Sequence, residues 1–285
     1  MSVDVKIINK GIFKKKLQLQ NFLDTGLVAG VMDDAWRMQP LENEHPDEFL
    51  LYDPHCIARG IQVVWKQYEV ELYLLLPTCK QEIHAFYELI YHLCRLWKTN
   101  AFEQDVETQE LRKLDMLQEQ LCDFSRECLD NFLREHTEGC FFSAMHPLWF
   151  DAVDHEDMLK DFGAWLHAHQ KQDFYYAAPR IYQSDHGLFG VYTITSGVDS
   201  LLPLQPEAPF GMKDPISGRD IQVEEWYAAF YDLDEECFLG QLPYEIFVQE
   251  EQLANRMRYD AKMRLLPGMS AKRQRQLLEA FRVEL

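Results

Sequence analysis

The stretch Asp53–Leu96 constrains the fold more than any other part of the chain. Ile61, Val63 and Trp65 alternate with other residues, as do Val70, Leu72, Leu74 and Leu76, and KQYE lies between the two runs. This pattern predicts an antiparallel hairpin over residues 59–76. Pro77 has no N–H to give a sheet ladder and ends it. Thr78 is then expected to cap a helix, with Gln81 as the reciprocal partner of a capping box. Ile83, Phe86, Tyr87, Ile90, Leu93 and Trp97 follow at helical spacing and make one broad apolar stripe. The helix should lie across the strands that precede it.

A second pattern of three-to-four spacing runs over 105–136, through Leu111, Leu114, Leu117, Leu121, Phe124, Cys128 and Phe132. Gln118 and Ser125 fall where a heptad seam wants leucine, which favours a helix packed on its own sheet over a coiled-coil arm. Earlier, residues 3–9 and 16–20 alternate and predict a first hairpin, with the basic run Lys14–Lys16 as solvated turn. Residues 21–51 read as irregular, with a short helix near Asp33–Met38. After an aromatic connector at 140–150, Asp154 is expected to cap a helix that buries Met158, Phe162, Trp165 and Leu166. Residues 174–182 and 188–195 form a predicted hairpin, and Pro and Gly make 196–218 a long loop. A strand region follows, then a helix over 244–264 and a last helix over 271–283, capped by Ser270.

These elements define an α+β protein, mainly antiparallel sheets packed against long amphipathic helices. Two halves are expected, 1–139 and 140–285. An internal echo suggests that they are similar. DPHCIARGIQV (53–63) and DPISGRDIQV (214–223) share Asp, Pro, Arg, Ile, Gln and Val, and in each half a Leu-Pro pair and a helical pattern follow. Chance is the competing account, because the echo forms no solenoid period.

With 28 basic and 47 acidic residues, the net charge of −19 repels phosphates. It argues against broad nucleic-acid or anionic-membrane binding. The basic segment from Arg256 to Arg275 is expected to pair with the acidic body or an acidic partner. The first twenty residues lack a signal-peptide core, and nowhere do eighteen apolar residues run together. The seven cysteines are odd in number and include no CxxC, which disfavours zinc ribbons and thioredoxin-like sites. A reduced cytoplasmic setting is expected.

No HExxH, P-loop, dinucleotide, GxSxG or EF-hand pattern occurs. No catalytic residue, cofactor or metal is expected. A metal set from His155, Asp157 or Asp161, and His169 is disfavoured against ordinary surface and cap roles. Ser184, Asp185 and His186 are adjacent and cannot form a triad line. The acidic turn Asp232, Asp234, Glu235 and Glu236 reads as solvated. The ligand-binding candidates are Arg59 and Arg219, each two residues before IQV. Either arginine can instead clamp a structural partner, Asp53 or Asp214 respectively.

The segments MSVDVKIINK (1–10), GIFKKK (11–16), CIARGIQV (56–63) and LLLPTCKQEIHAFYELI (74–90) resemble an uncharacterised family of Gram-positive bacterial proteins similar in length to this chain. The resemblance implies a bacterial cytoplasmic setting and carries over no catalytic residue. Function is expected to be that of an accessory protein that self-associates or binds another protein. The alternative is an enzyme or small-molecule binder that takes an anionic ligand through Arg59 or Arg219.

Overall fold

The structure, a computed structural model, describes residues 1–10, 16–33, 38–41, 46–170, 174–185, 187–209, 212–213 and 218–283. It divides into two compact units, Met1–Gln172 and Asp173–Leu285.

The first unit is built on an eight-stranded sheet. Its strands are β1 (Ser2–Ile8), β2 (Val28–Met32), β3 (Met38–Pro40), β4 (Glu48–Tyr52), β5 (Ile61–Lys66), β6 (Glu69–Leu75), β7 (Ala101–Gln104) and β8 (Glu107–Glu110), in the spatial order β3-β2-β4-β5-β6-β1-β7-β8. Each neighbouring pair is antiparallel. A short helix, α1 (Leu19–Leu23), follows β1, and the long helices α2 (Lys80–Trp97) and α3 (Leu114–Glu135) follow β6 and β8.

Alternation sends Val3, Val5, Ile7, Phe49, Leu51, Ile61, Val63, Val70, Leu72 and Leu74 to one face, all buried. There they join Ile83, Phe86, Tyr87, Ile90, Leu93 and Trp97 of α2 in a single core. The stripe expected of α2 is the buried one. In α3 the buried positions are Leu117, Leu121, Ser125, Leu129 and Leu133. Leu117 and Leu121 lie on the expected stripe, but Phe124 is exposed, and from Ser125 onward the seam runs one position off it. Ser125 sits in that seam because its hydroxyl donates to the Thr78 carbonyl and accepts from the Thr78 N–H, each at 2.8 Å.

Several expectations are corrected here. The second strand of the first hairpin is absent, since Leu19–Leu23 is helical and β1 is a central strand between β6 and β7. Residues 21–51 contribute three strands, whose short alternation was masked by glycine and polar interruptions. The expected helix near Asp33–Met38 falls largely outside the described residues, and Met38 opens β3. The start of the 105–136 helix is instead the β7–β8 hairpin and a short 3-10 turn. Thr78 does not cap α2. Cys79 holds that position, and the Thr78 hydroxyl donates to the buried Glu82 carboxylate instead.

Residues 140–170, placed by sequence at the start of a second half, belong to the first unit. They form the hairpin β9 (Gly139–Phe142) and β10 (Pro147–Phe150), then α4 (His155–Lys160) and α5 (Phe162–Gln170). Hydrogen bonds from the Ala144 N–H and the Gln170 amide to the Ala58 carbonyl tie them down. Met158, Phe162, Trp165 and Leu166 are buried as expected, although Asp161 divides their helix in two.

The second unit has a sheet ordered β12-β13-β15-β16, made of β12 (Arg180–Ser184), β13 (Gly187–Thr195), β15 (Glu225–Asp232) and β16 (Cys237–Pro243). A second sheet joins β11 (Tyr175–Tyr176), β14 (Ser200–Pro203) and β17 (Met263–Leu266). The helices are α6 (Tyr244–Glu250) and α7 (Ala271–Phe281). β14 lies inside the expected loop 196–218. The helix expected over 244–264 stops after seven residues, at Glu250, and Gln252 takes the left-handed φ of 49°. Ser270 caps α7 by accepting from the Arg273 N–H.

Strand, strand, Leu-Pro and helix do recur, as β5–β6–α2 and β15–β16–α6. The matched triplets differ, because Ile61–Val63 is strand while Ile221–Val223 precedes β15 as irregular chain. Also, β15 pairs parallel with β13, whereas β5 has only antiparallel neighbours. Among the described residues, no helix is long and apolar enough to cross a membrane.

Candidate functional site

Arg59 precedes β5 in the turn that starts at Asp53. The Asp53 carboxylate closes that turn by accepting from the His55 N–H at 2.8 Å, and the Asp53 carbonyl accepts from Cys56. Arg59 turns away from it. Its Nε donates to the Phe142 carbonyl and its Nη1 to the Pro77 carbonyl, each at 3.2 Å, and the guanidinium lies 5.4 Å over the Phe141 ring. The expected Asp53 clamp is replaced by an arrangement around Glu82.

Glu82 stands in the first turn of α2 and is 4 % exposed. Its carboxylate accepts from the Gly60 N–H at 2.6 Å, the Arg59 N–H at 3.3 Å and the Thr78 hydroxyl. Burial raises its pKa, opposed by those three donors and by the Arg59 charge. Burial likewise lowers the Arg59 pKa to about 10, with Glu82 pulling it back up, and at neutral pH the guanidinium stays charged. Gly60 fits this turn for two reasons. Its φ is +84°, and a Cβ there would stand 2.7 Å from the Leu50 side chain.

Arg59 and Gly60 line a cleft of about 400 Å³ on the sheet face opposite α2. Leu50, Gln62 and Tyr73 stand side by side across β4, β5 and β6 and form its floor. Val31 and Met32 of β2, Leu75 of β6, and Phe142 with Ser143 after β9 add to its walls. Glu48 lines it too, at the far end of β4 from the Arg59 turn, and accepts from the Gln62 amide. A guanidinium has five N–H donors, and among the described residues two of those of Arg59 are engaged, both by carbonyls.

The floor borders a charged row. Glu71 on β6 accepts from the Tyr73 hydroxyl at 2.7 Å and pairs with Lys66 at 3.1 Å and Lys6 at 3.6 Å. The Tyr73 hydrogen bond, then Lys66, hold Glu71 at a pKa of about 2, and the same hydrogen bond pushes Tyr73 up to about 12. Above the ordinary carboxyl value of 4.5, Glu71 is ionised folded and unfolded, and its full contribution is present. As pH falls from 4.5 towards about 2, the unfolded chain takes up the proton first and that stability is lost. Urea titrations of wild type and Glu71→Gln across this range should show a stability gap that narrows with acidification. A gap constant with pH contradicts the assignment.

Arg219 belongs to the other unit, in exposed irregular chain before β15. Asp214, its proposed partner, lies outside the described residues, as does His186. The basic C-terminal segment pairs internally. Arg256 and Arg273 meet Glu251, Lys262 meets Glu207, and Arg275 bridges Asp232 and Glu235 of the acidic turn. His169 Nδ1 lies 2.7 Å from the Trp165 carbonyl, and the Asp161 carboxylate accepts from the Ala164 N–H. Among the described residues, no group of His, Cys, Asp and Glu side chains could hold a metal ion.

Residues 2–277 match the family model described as Domain of unknown function (DUF4299), and the chain belongs to that family. Comparison with curated proteins gave no match, and neither did comparison with solved structures.

Proposed function

We propose that the first unit is a ligand-binding module whose cleft takes a small amphipathic molecule with an anionic head. The observation that carries this reading is Arg59, a charged fork in the wall of an otherwise largely apolar cleft, with two of its five donors engaged among the described residues. Leu50, Leu75 and Phe142 suit an apolar body, and Glu48 at the other end disfavours the reversed orientation of an acid. Glu82 accepts from the Arg59 backbone N–H and supplies a nearby counter-charge. The reading keeps the chain in a reducing bacterial cytoplasm, on the strength of its N-terminal and α2 sequence resemblance.

The test is thermal unfolding of the full chain with a panel of aliphatic and aryl carboxylates, each beside its neutral amide. At about 100 times the dissociation constant, a bound acid should stabilise by about 2.7 kcal/mol and raise the midpoint by about 5–10 °C. Leu75→Trp, at an exposed cleft position, should fill the space and remove the shift without unfolding the sheet. A panel in which acids and amides shift the midpoint equally, or not at all, defeats the proposal.

A further inference from the structure

Glu48 is a second charged side chain of the Arg59 cleft, and the strand register says where it stands. Leu50 of β4 lies opposite Gln62 of β5, and Glu48 opposite Val64. On the far side of β5, Tyr73 of β6 lies opposite Gln62, and Glu71 opposite Val64. Alternation turns Glu48 to the same face as Leu50, so the rung Glu48–Val64–Glu71 comes just after the floor. Val64 is four positions along β5 from Gly60. At about 3.4 Å per residue, Glu48 therefore lies roughly 13 Å along the sheet from the Arg59 turn.

The other polar side chains of the lining are engaged within the protein. The Tyr73 hydroxyl donates to Glu71, the Ser143 hydroxyl to the His146 carbonyl, and the Gln62 amide to Glu48 itself. That one bond leaves Glu48 further acceptor sites, since a carboxylate has about four. Glu69 and Glu71 of β6 share the cations Lys6 and Lys66. Among the described residues, no lysine or arginine makes such a pair with Glu48. A simple fatty acid held at Arg59 would set an apolar tail against this carboxylate, which costs hydration where the tail covers it. An ammonium in the same place instead gains a charge-assisted hydrogen bond. Glu48 is exposed, so the gain is that of a solvent-screened pair.

We propose that the ligand of this cleft is a zwitterion, an ω-amino acid whose carboxylate meets Arg59 and whose ammonium meets Glu48. Its apolar chain runs between them over Leu50 and Tyr73. The inference rests on Arg59 as the residue that holds the anionic head, and it adds Glu48 as the residue that selects the tail. Opposite charges fixed at the two ends of a largely apolar cleft complement such a molecule in charge and in orientation. Because the sheet fixes both charges, chain length matters. A chain too short to span them forfeits one contact, and one too long has to buckle.

The test is calorimetric titration of the full chain with ω-aminobutanoate, ω-aminohexanoate, ω-aminooctanoate and ω-aminodecanoate. Each is paired with the methyl-terminated acid of equal length, and both acids with their amides. At one chain length the amino acid should bind on the order of fivefold more tightly than its methyl-terminated counterpart, with weaker preference at shorter and longer lengths. Glu48→Gln keeps an oxygen for the Gln62 amide and should abolish that preference, while the methyl-terminated acid stays within about twofold of its wild-type affinity and so shows the cleft intact. Glu48→Lys should turn the preference towards the dicarboxylate of the same length. If the methyl-terminated acids bind as tightly as the amino acids at every length, or if the preference survives Glu48→Gln, the zwitterion is overturned and the Arg59 reading stands. If neither kind of acid outbinds its own amide, the Arg59 reading fails and the zwitterion with it.

Discussion

Replacing Glu82 by alanine is expected to lower the unfolding free energy by about 3–5 kcal/mol, the cost of leaving three buried donors without their acceptor. The carboxylate is the common acceptor for the Gly60 and Arg59 N–H groups and the Thr78 hydroxyl, and the buried counter-charge of Arg59. Without it, the two N–H groups lose their acceptor and the guanidinium keeps only carbonyls. Glu82→Gln retains the shape and an acceptor oxygen, and should cost about 1–3 kcal/mol. Removing Arg59 and Glu82 together should cost less than the sum of the single losses, because neither charge is then stranded. Urea midpoints of the three variants measure this. An alanine variant within about 0.5 kcal/mol of wild type would show that Glu82 does not organise the turn.

Phe86→Ala carries a comparable expected loss of about 3–5 kcal/mol, from burial lost and a cavity left in the sheet–helix core. Phe86 is fully buried in α2, its ring 5.5 Å from that of Tyr87 at a steep angle. Tyr91, five residues further along the same helix and on another face, is half exposed at 50 %, and Tyr91→Ala should stay within about 0.5 kcal/mol of wild type. Similar losses at the two positions in denaturant unfolding would mean that α2 presents a different face to the sheet.

That pair also marks how far the sequence is legible. The helical period of Ile83, Phe86, Tyr87, Ile90, Leu93 and Trp97 needs only its own spacing to be read, and all six are buried. The hairpin before it is equally local. Legibility fades where an element depends on distant partners. β1 pairs with β6 and β7, some seventy to a hundred residues away, and β14 is a strand only because it lies between β11 and β17. Ser125 breaks the apolar pattern of α3 because its hydroxyl serves the Thr78 backbone.

The site follows the same division. Arg59 stands out in sequence because it precedes a strand beside an Asp-Pro turn. Its supporting acid does not, since Asp53 is nearer in the chain and Glu82 reads as one more polar residue on a helix. The contact that joins Arg59 to Glu82, 23 positions on, forms only when the turn folds against the helix start. The sequence signal that could have marked Glu82 is its position, four residues before Phe86 and so on the same inward face of α2.

Calorimetric titration of the full chain with one amphipathic carboxylate from the panel and its amide tests the role of Arg59 most directly. The acid should bind at least about tenfold more tightly, roughly 1.4 kcal/mol, as a charged head on a guanidinium fork requires. Arg59→Lys should shrink that preference, and Leu75→Trp should abolish binding of both. Equal affinities for acid and amide, or affinities that Leu75→Trp leaves unchanged, would contradict the assignment of Arg59 as the anion-reading residue of this cleft.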